Sequence, residues 1–264
     1  MASFSSCHSA LRAEPRRDLK QATRHPLWYF ADGNCIFWVD NVLFNLHRFI
    51  LTSHSAVFRA LFELPPPTQR GIHGKRSVFG EMCVVEGTDD KHPIALSGVV
   101  VSDFEAFLTI LYLPVYETDP GLSLDQWVSI LELSSRWDFA SIRMHAISKL
   151  EITPSDTLNP ILRLSLALKY DLSGRSWLVR PLTSIVTRKE PLTCQDASIL
   201  GLNMTVLIAR AREEVRSVFE VDEEWCNSCE RCGKTSLLEE DDVEEVIMEV
   251  FGFTAAEISQ PEQV

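Results

Sequence analysis

The spacing of apolar positions divides the chain into a short strand-rich stretch and a long helical one. Cys35-Ile-Phe-Trp-Val39 is an unbroken apolar run of strand length, and Val42-Leu-Phe44 is a second. They are separated by the two-residue turn pair Asp40-Asn41, which predicts a β-hairpin. The first run has no polar alternation, so it predicts a strand covered on both faces. Order is expected to begin near His25. Ser55 is placed to cap a short helix through Leu64, with Val57, Phe58, Leu61 and Phe62 on one broad apolar face. Pro65-Pro66-Pro67 stops it.

From Thr68 to Asp90 the chain is dotted with glycine and reads as an inserted loop, within which Ser77–Val85 is a candidate strand. Pro93-Ile-Ala-Leu96 predicts a short strand. Helical spacing then takes over. Ser102-Asp-Phe-Glu105 has the form of a capping box, followed by Phe104, Phe107, Leu108, Leu111 and Tyr112 at i, i+3, i+4, i+7, i+8. Pro114 ends that helix. Ser123 and Asp138 are candidate caps for the next two. Further helical patterns run from Leu158 to Leu168, Ser176 to Val186 and Met204 to about Arg216, and Thr193-Cys-Gln-Asp196 reads as another cap. The class is α+β, a small sheet followed by a run of helices packed as antiparallel hairpins.

Charge changes the picture only at the end of the chain. Met1 to Arg212 holds 21 acidic and 22 basic residues, whereas Glu213 to Val264 holds 16 and 3. The body is nearly neutral and offers no electrostatic footprint for nucleic acid, and the acidic tail repels phosphate. Residues 217–264 are expected to be largely disordered, as is the N-terminal arm 1–24. Within the tail, Val243, Val246, Ile247 and Val250 mark one short amphipathic helix, which either packs back on the body or docks into a partner groove. No apolar run follows Met1, and no stretch approaches the length of a membrane span, so the sequence predicts neither secretion nor membrane insertion. Seven scattered cysteines then imply reduced thiols in the cytoplasm or nucleus.

Candidate chemistry is sparse. His47 and His54 lie seven apart, whereas two ligands on one helix need a spacing of three or four. Both are expected to be structural, with His47 half-buried and Arg48 reaching solvent or a carboxylate. Ser228-Cys-Glu-Arg-Cys-Gly-Lys-Thr235 falls one residue short of a phosphate loop, because Ser228 stands where glycine is needed. Cys226, Cys229 and Cys232 form C-x-x-C-x-x-C, a weak candidate zinc site that lacks a local fourth ligand. Nucleophile-elbow, zincin and dinucleotide-turn motifs are absent, which argues against an enzyme and against a cofactor.

The series Cys35–Val39, turn, Val42–Phe44, Leu46-His47-Arg48-Phe-Ile-Leu51 and Ser55-Ala-Val-Phe58-Arg-Ala-Leu-Phe62 resembles the BTB/POZ domain. The segments from Pro93 and Ser102, and Asp125 to Leu150, look like its third strand and following helices. The resemblance spans about Pro26 to Leu150 and implies a BTB/POZ fold over residues 25–150, a short three-stranded sheet flanked by helical hairpins. Residues 151–216 are similar to the all-helical extension of many fungal BTB proteins. The resemblance implies protein partners, among them a second copy of the chain or a cullin-type ubiquitin ligase scaffold for which the domain is a substrate adaptor. By position it implies a partner surface at Phe104, Phe107, Tyr112, Pro114, Val115 and Tyr116. Without a ligase role it implies a homodimerising scaffold or transcriptional co-regulator. The tail cysteines leave a metal-responsive protein as a further alternative. Two departures stand out. Asn34 occupies the place of the family's usual Asp, with Asp32 the nearest substitute, and Met1 to Arg24 shows no counterpart of the strand and helix that precede the hairpin in strongly dimeric members.

Overall fold

A computed structural model describes residues 21–63, 86–113, 121–154, 157–226 and 240–253. The candidate strand Ser77–Val85 and the N-terminal arm before Gln21 lie outside them. The chain divides into two compact units, residues 1–121 with 136–140, and residues 122–135 with 141–264. The two helices after residue 121 fall mostly within the second of these units. Among the described residues, no helix is long and apolar enough to cross a membrane.

The first unit is built on a sheet of four strands, β1 (Thr23–Tyr29), β2 (Cys35–Val39), β3 (Val42–Leu46) and β4 (Ile94–Ala95), in the order β1-β3-β2-β4. The β2–β3 hairpin forms as expected, in antiparallel register from Cys35↔Leu46 to Val39↔Val42. Its turn residues Asp40 and Asn41 have φ of 42° and 66°. Two consecutive left-handed residues match the twist of a two-residue hairpin, and Asp and Asn tolerate that backbone best among non-glycines. Four of the five β2 residues are buried, as a strand without polar alternation requires.

The sheet has one strand more than the three expected. β1 runs parallel to β3, pairing Thr23 with Val42 and Arg24 with Leu43 before its register shifts. Arg24, His25 and Pro26 break any alternation there, so only non-local pairing reveals the strand. His25 is buried and lies parallel to the Phe44 ring at 4.8 Å. Its Nδ1 accepts the backbone N–H groups of Leu27 and Trp28, which leaves the ring proton on Nε2 to meet Glu105 Oε1 at 2.7 Å.

Two short helices follow, α1 (Arg48–His54) and α2 (Ala56–Glu63). α1 was not anticipated as a helix. Ser55 is fully buried between them and caps α2 as predicted, its Oγ accepting the Phe58 N–H at 3.0 Å and donating to the Trp137 carbonyl at 2.6 Å. α3 (Val101–Leu111) starts one residue before the predicted capping box, with Val100 as an N-cap that offers no side-chain bond. Ser102 is thus inside the helix, and the Glu105 carboxylate is engaged by His25. The core of this unit is aromatic: Phe37, Phe44, Phe58, Phe104, Phe107, Trp137 and Phe139 meet mostly edge to face, with Phe107 and Phe139 centroids 5.0 Å apart.

The second unit is all-helical: α4 (Leu124–Arg136) up to Ser135, α5 (Ala140–Glu151) from Ser141, α6 (Pro160–Tyr170), a π-turn (Arg175–Val179), α7 (Arg180–Thr187), α8 (Cys194–Leu200), α9 (Leu202–Cys226) and α10 (Glu240–Phe251). Ser123 and Gln126 exchange reciprocal bonds at the start of α4, and Thr193 with Asp196 forms a capping box at α8. Asp138, expected to cap α5, instead takes a left-handed conformation (φ 54°) two residues before that helix begins. Trp127 and Trp177 are buried in this unit, and a core cluster in it is aliphatic, drawn from Ile161, Leu164, Leu182, Ile185, Ile208 and Val215 among others. Val243, Ile247 and Val250 of α10 are buried in it, so of the two readings of the amphipathic tail helix the structure takes the first: it packs back.

Two buried arginines close helix ends in this unit. Arg163 donates to the carbonyls of Leu150, Glu151 and Thr153, at the end of α5. Arg212 donates to those of Ile185, Arg188 and Glu190, around the end of α7. The last carbonyls of a helix have no intrahelical partner and carry partial negative charge, so a guanidinium both satisfies and neutralises them. Burial depresses the pKa of both arginines below the ordinary value.

Candidate functional site

The sequence places a partner surface on α3 and the loop behind it. Along that helix the structure separates core from surface. Phe104 and Phe107 are 1% and 0% exposed. They face the aromatic core, where Phe104 stands against Phe44 and Phe107 against Trp137 and Phe139. A ring enclosed on all sides cannot anchor a partner, so neither residue forms the surface expected of it. What α3 does present is its C-terminal end, Thr109 to Leu113, where every residue is partly exposed. Pro114, Val115 and Tyr116 lie outside the described residues.

Tyr112 sits at that end and gathers groups from two other segments. Its ring lies 5.6 Å from Trp28, 5.2 Å from Phe30 and 5.8 Å from His47, all partly exposed. Its hydroxyl accepts the backbone N–H of His47 at 3.1 Å and stands 3.2 Å from Nδ1 of the same histidine. The other ring nitrogen, Nε2, is 3.3 Å from Asp32 Oδ1. Because the hydroxyl already accepts from the backbone, its proton is free to point at Nδ1, which leaves the imidazole proton on Nε2 toward the carboxylate. Burial raises the Tyr112 pKa above the ordinary phenol value, the His47 N–H opposes this, and the negative charge of Asp32 adds to the rise. The phenol therefore stays protonated at neutral pH.

The loop carrying Asp32 is held by close approach. A Cβ on Gly33 would lie 2.6 Å from the Asn45 side chain and 2.7 Å from its carbonyl oxygen, so the chain passes Asn45 only as glycine. Asn45 in turn donates to the Phe30 carbonyl at 2.6 Å. Asn34 Oδ1 accepts the Arg48 backbone N–H at 2.8 Å, satisfying the first donor of α1. Of the two expectations for Arg48, solvent or a carboxylate, the first holds: the residue is exposed, and among the described residues its guanidinium pairs with neither Asn34 nor a carboxylate. It bonds the Phe62 carbonyl at 3.0 Å and lies 4.5 Å over the Phe62 ring. Asp32 is committed to His47, so it does not take the place beside Arg48.

Other candidates separate cleanly. His47 is the N-cap of α1 and His54 its last residue, and His54 is exposed. Among the described residues, no group of three His, Cys, Asp or Glu side chains is placed to hold a metal ion. Cys229 and Cys232 lie outside those residues, and of Cys226 only the backbone position at the end of α9 is described. Cys35 is buried and burial pushes its thiol up to about 12, which leaves it protonated and unreactive. A Tyr–His–Asp series could relay a proton, but Tyr112 and His47 are packed against the ring of Phe30, and Tyr112 also against that of Trp28. Chemically it holds β1, α1 and the end of α3 together.

Apolar surface lies nearby in the chain. Phe49 of α1 is 79% exposed, and Val57 and Leu61 of α2 are 43% and 38% exposed. The sequence put Val57 and Leu61 on one broad apolar face with Phe58 and Phe62, and such a stripe does not reveal which edge of it is covered. No protein-family model matches the chain, and no curated protein matches it in sequence.

Proposed function

We propose that residues 25–150 form a BTB-type protein–protein interaction module with no catalytic role, and that it is a substrate adaptor for a cullin-type ubiquitin ligase. The observation that carries the reading is the order and pairing of elements: the β2–β3 hairpin, the helix pair α1–α2, β4 laid parallel to β2, and then α3. These follow the segments on which the family resemblance rests. The scaffold contact falls at the partly exposed end of α3, on Ile110, Leu111 and Leu113 beside Tyr112. Aliphatic side chains around a half-buried tyrosine make a desolvated anchor with a polar rim. The test is co-elution of the full chain with an N-terminal cullin fragment at about 10 µM, well above the dissociation constant of a specific adaptor. Leu111→Ala with Tyr112→Ala weakens it; absence of co-elution with the native chain ends the adaptor reading.

A second reading rests on the exposed Phe49, Val57 and Leu61 of α1 and α2. Exposed apolar side chains on two consecutive helices suit a second copy of the chain, giving a homodimerising scaffold or co-regulator without a ligase role. Light scattering that finds a dimer, lost in Phe49→Ser, together with no cullin affinity, selects it.

A further inference from the structure

A cavity of 380 Å³ opens in the helical unit, where α6 and α7 border the segment after α5. Its size falls at the lower end of the range for small-molecule sites. One wall is charged. Arg163 is 5% exposed and held in place by the three carbonyls described above and by the Trp177 ring, 5.5 Å from its guanidinium carbon. Glu151 is the carboxylate on this wall, and it accepts a hydrogen bond from Ser176. Arg180 is the second cation. It is exposed, stands close enough to Arg163 for the two like charges to repel, and its side chain makes no hydrogen bond or ion pair among the described residues.

Ser184, one turn further along α7, lines the same cavity with a hydroxyl that has no partner among the described residues. The lining also includes the apolar side chains of Ile152, Leu158, Pro160 and Pro181, and Ile152 is 75% exposed. The polar side thus carries two positive charges against one negative, and the donors of one arginine and one serine are unengaged. A guanidinium with a neighbouring hydroxyl matches the geometry of a carboxylate or phosphate.

We infer that this cavity is a binding site for a small organic oxyanion, a carboxylate or phosphate on a compact apolar frame. Arg180 and Ser184 bind the anionic group, Arg163 supplies a fixed positive field behind them, and Ile152 with Leu158 covers the frame. The site lies in the helical unit and is independent of the partner surface proposed above.

The test is titration of the full chain with phenyl phosphate, phenylacetate and inorganic phosphate, followed through the amide shifts of Ser176 to Ser184. The organic anions give a saturable response near a dissociation constant of about 1 mM, as suits minimal probes. Tighter binding of phenyl phosphate assigns the site to phosphates, and tighter binding of phenylacetate assigns it to carboxylates. Arg180→Gln weakens either by about tenfold, the loss of a charge-assisted contact, whereas Arg180→Lys retains most of it. Ile152→Ser weakens the organic probes and leaves inorganic phosphate unchanged. Arg180 and Ile152 are exposed, so these variants keep the fold, which an unchanged melting temperature verifies. No saturation, equal binding in Arg180→Gln, or inorganic phosphate bound as tightly as phenyl phosphate would each overturn the inference.

Discussion

The two units solve the same packing problem with different side chains. The sheet unit packs rings edge to face on a sheet whose fourth strand has only two residues, whereas the helical unit, beside the buried Trp127 and Trp177, packs a cluster of leucine, isoleucine, valine and alanine between helices. A small sheet offers few inward positions, so each must bury a large area, and aromatic side chains supply it. Helices meet along extended stripes, where branched aliphatics interdigitate. Polar groups differ in the same way. In the sheet unit the histidine, tyrosine and carboxylate of the candidate site are mutually bonded. In the helical unit the cavity leaves Arg180 unengaged among the described residues, while Arg163 and Arg212 are consumed by helix ends. One unit has polar groups arranged to hold itself together; the other keeps donors in reserve.

Substitutions in the two cores sharpen that contrast first. Phe58→Ala removes a ring in contact with Phe37, Trp137 and Phe139 and should cost about 3–5 kcal/mol in denaturant unfolding. Ile247→Ala in α10 should cost about 2–4 kcal/mol, because its side chain is fully buried. A cost near zero would show that α10 contributes nothing to the helical core. Gly33→Ala should cost about 1–3 kcal/mol through the clash with Asn45.

Smaller effects test the polar groups. Asp196→Asn should cost about 1 kcal/mol at neutral pH by weakening the capping box of α8. The Asp196 pKa is lowered first by the Thr193 backbone N–H and then by Arg188. The sign is that of a depressed acid: the stabilisation is present above the unfolded carboxylate pKa and is lost as pH falls through the folded one. Wild type and Asp196→Asn should therefore converge in acid. Tyr112→Phe should cost about 1 kcal/mol at neutral pH and less in alkali. The folded Tyr112 pKa is raised, so its contribution is full below the unfolded phenol value and disappears as pH rises through the folded one. His54→Gln, at an exposed position, should leave the melting temperature unchanged.

Features written in adjacent residues were legible from sequence. The Asp40-Asn41 turn, the Ser55 cap and the Thr193–Asp196 box each depend on side chains acting within three positions, and all three formed. The apolar pattern marked α3 as amphipathic but not which of its aromatics faced inward, since Phe104, Phe107 and Tyr112 share one wide stripe. That distinction rests on how many layers cover the helix, which is a tertiary property. β1 was hidden because a parallel strand needs a distant partner and its own residues include a proline. The roles of Arg163 and Arg212 were equally invisible, since a lone arginine in a helical pattern reads as solvated until the carbonyls it closes are in place. Trp28, Phe30 and Asp32 joined the candidate site by the same non-local pairing, and only Tyr112 among its members was foreseen as partner-facing.

Pro26 has a consequence for β1 beyond its effect on prediction. The outer rim of a sheet invites another chain to continue the ladder, a route to runaway assembly. Proline brings no amide hydrogen, and the next two amides, of Leu27 and Trp28, are already turned inward to the His25 ring. Three successive positions therefore offer an incoming strand no donor, and the rim is chemically blunted where it would otherwise be stickiest.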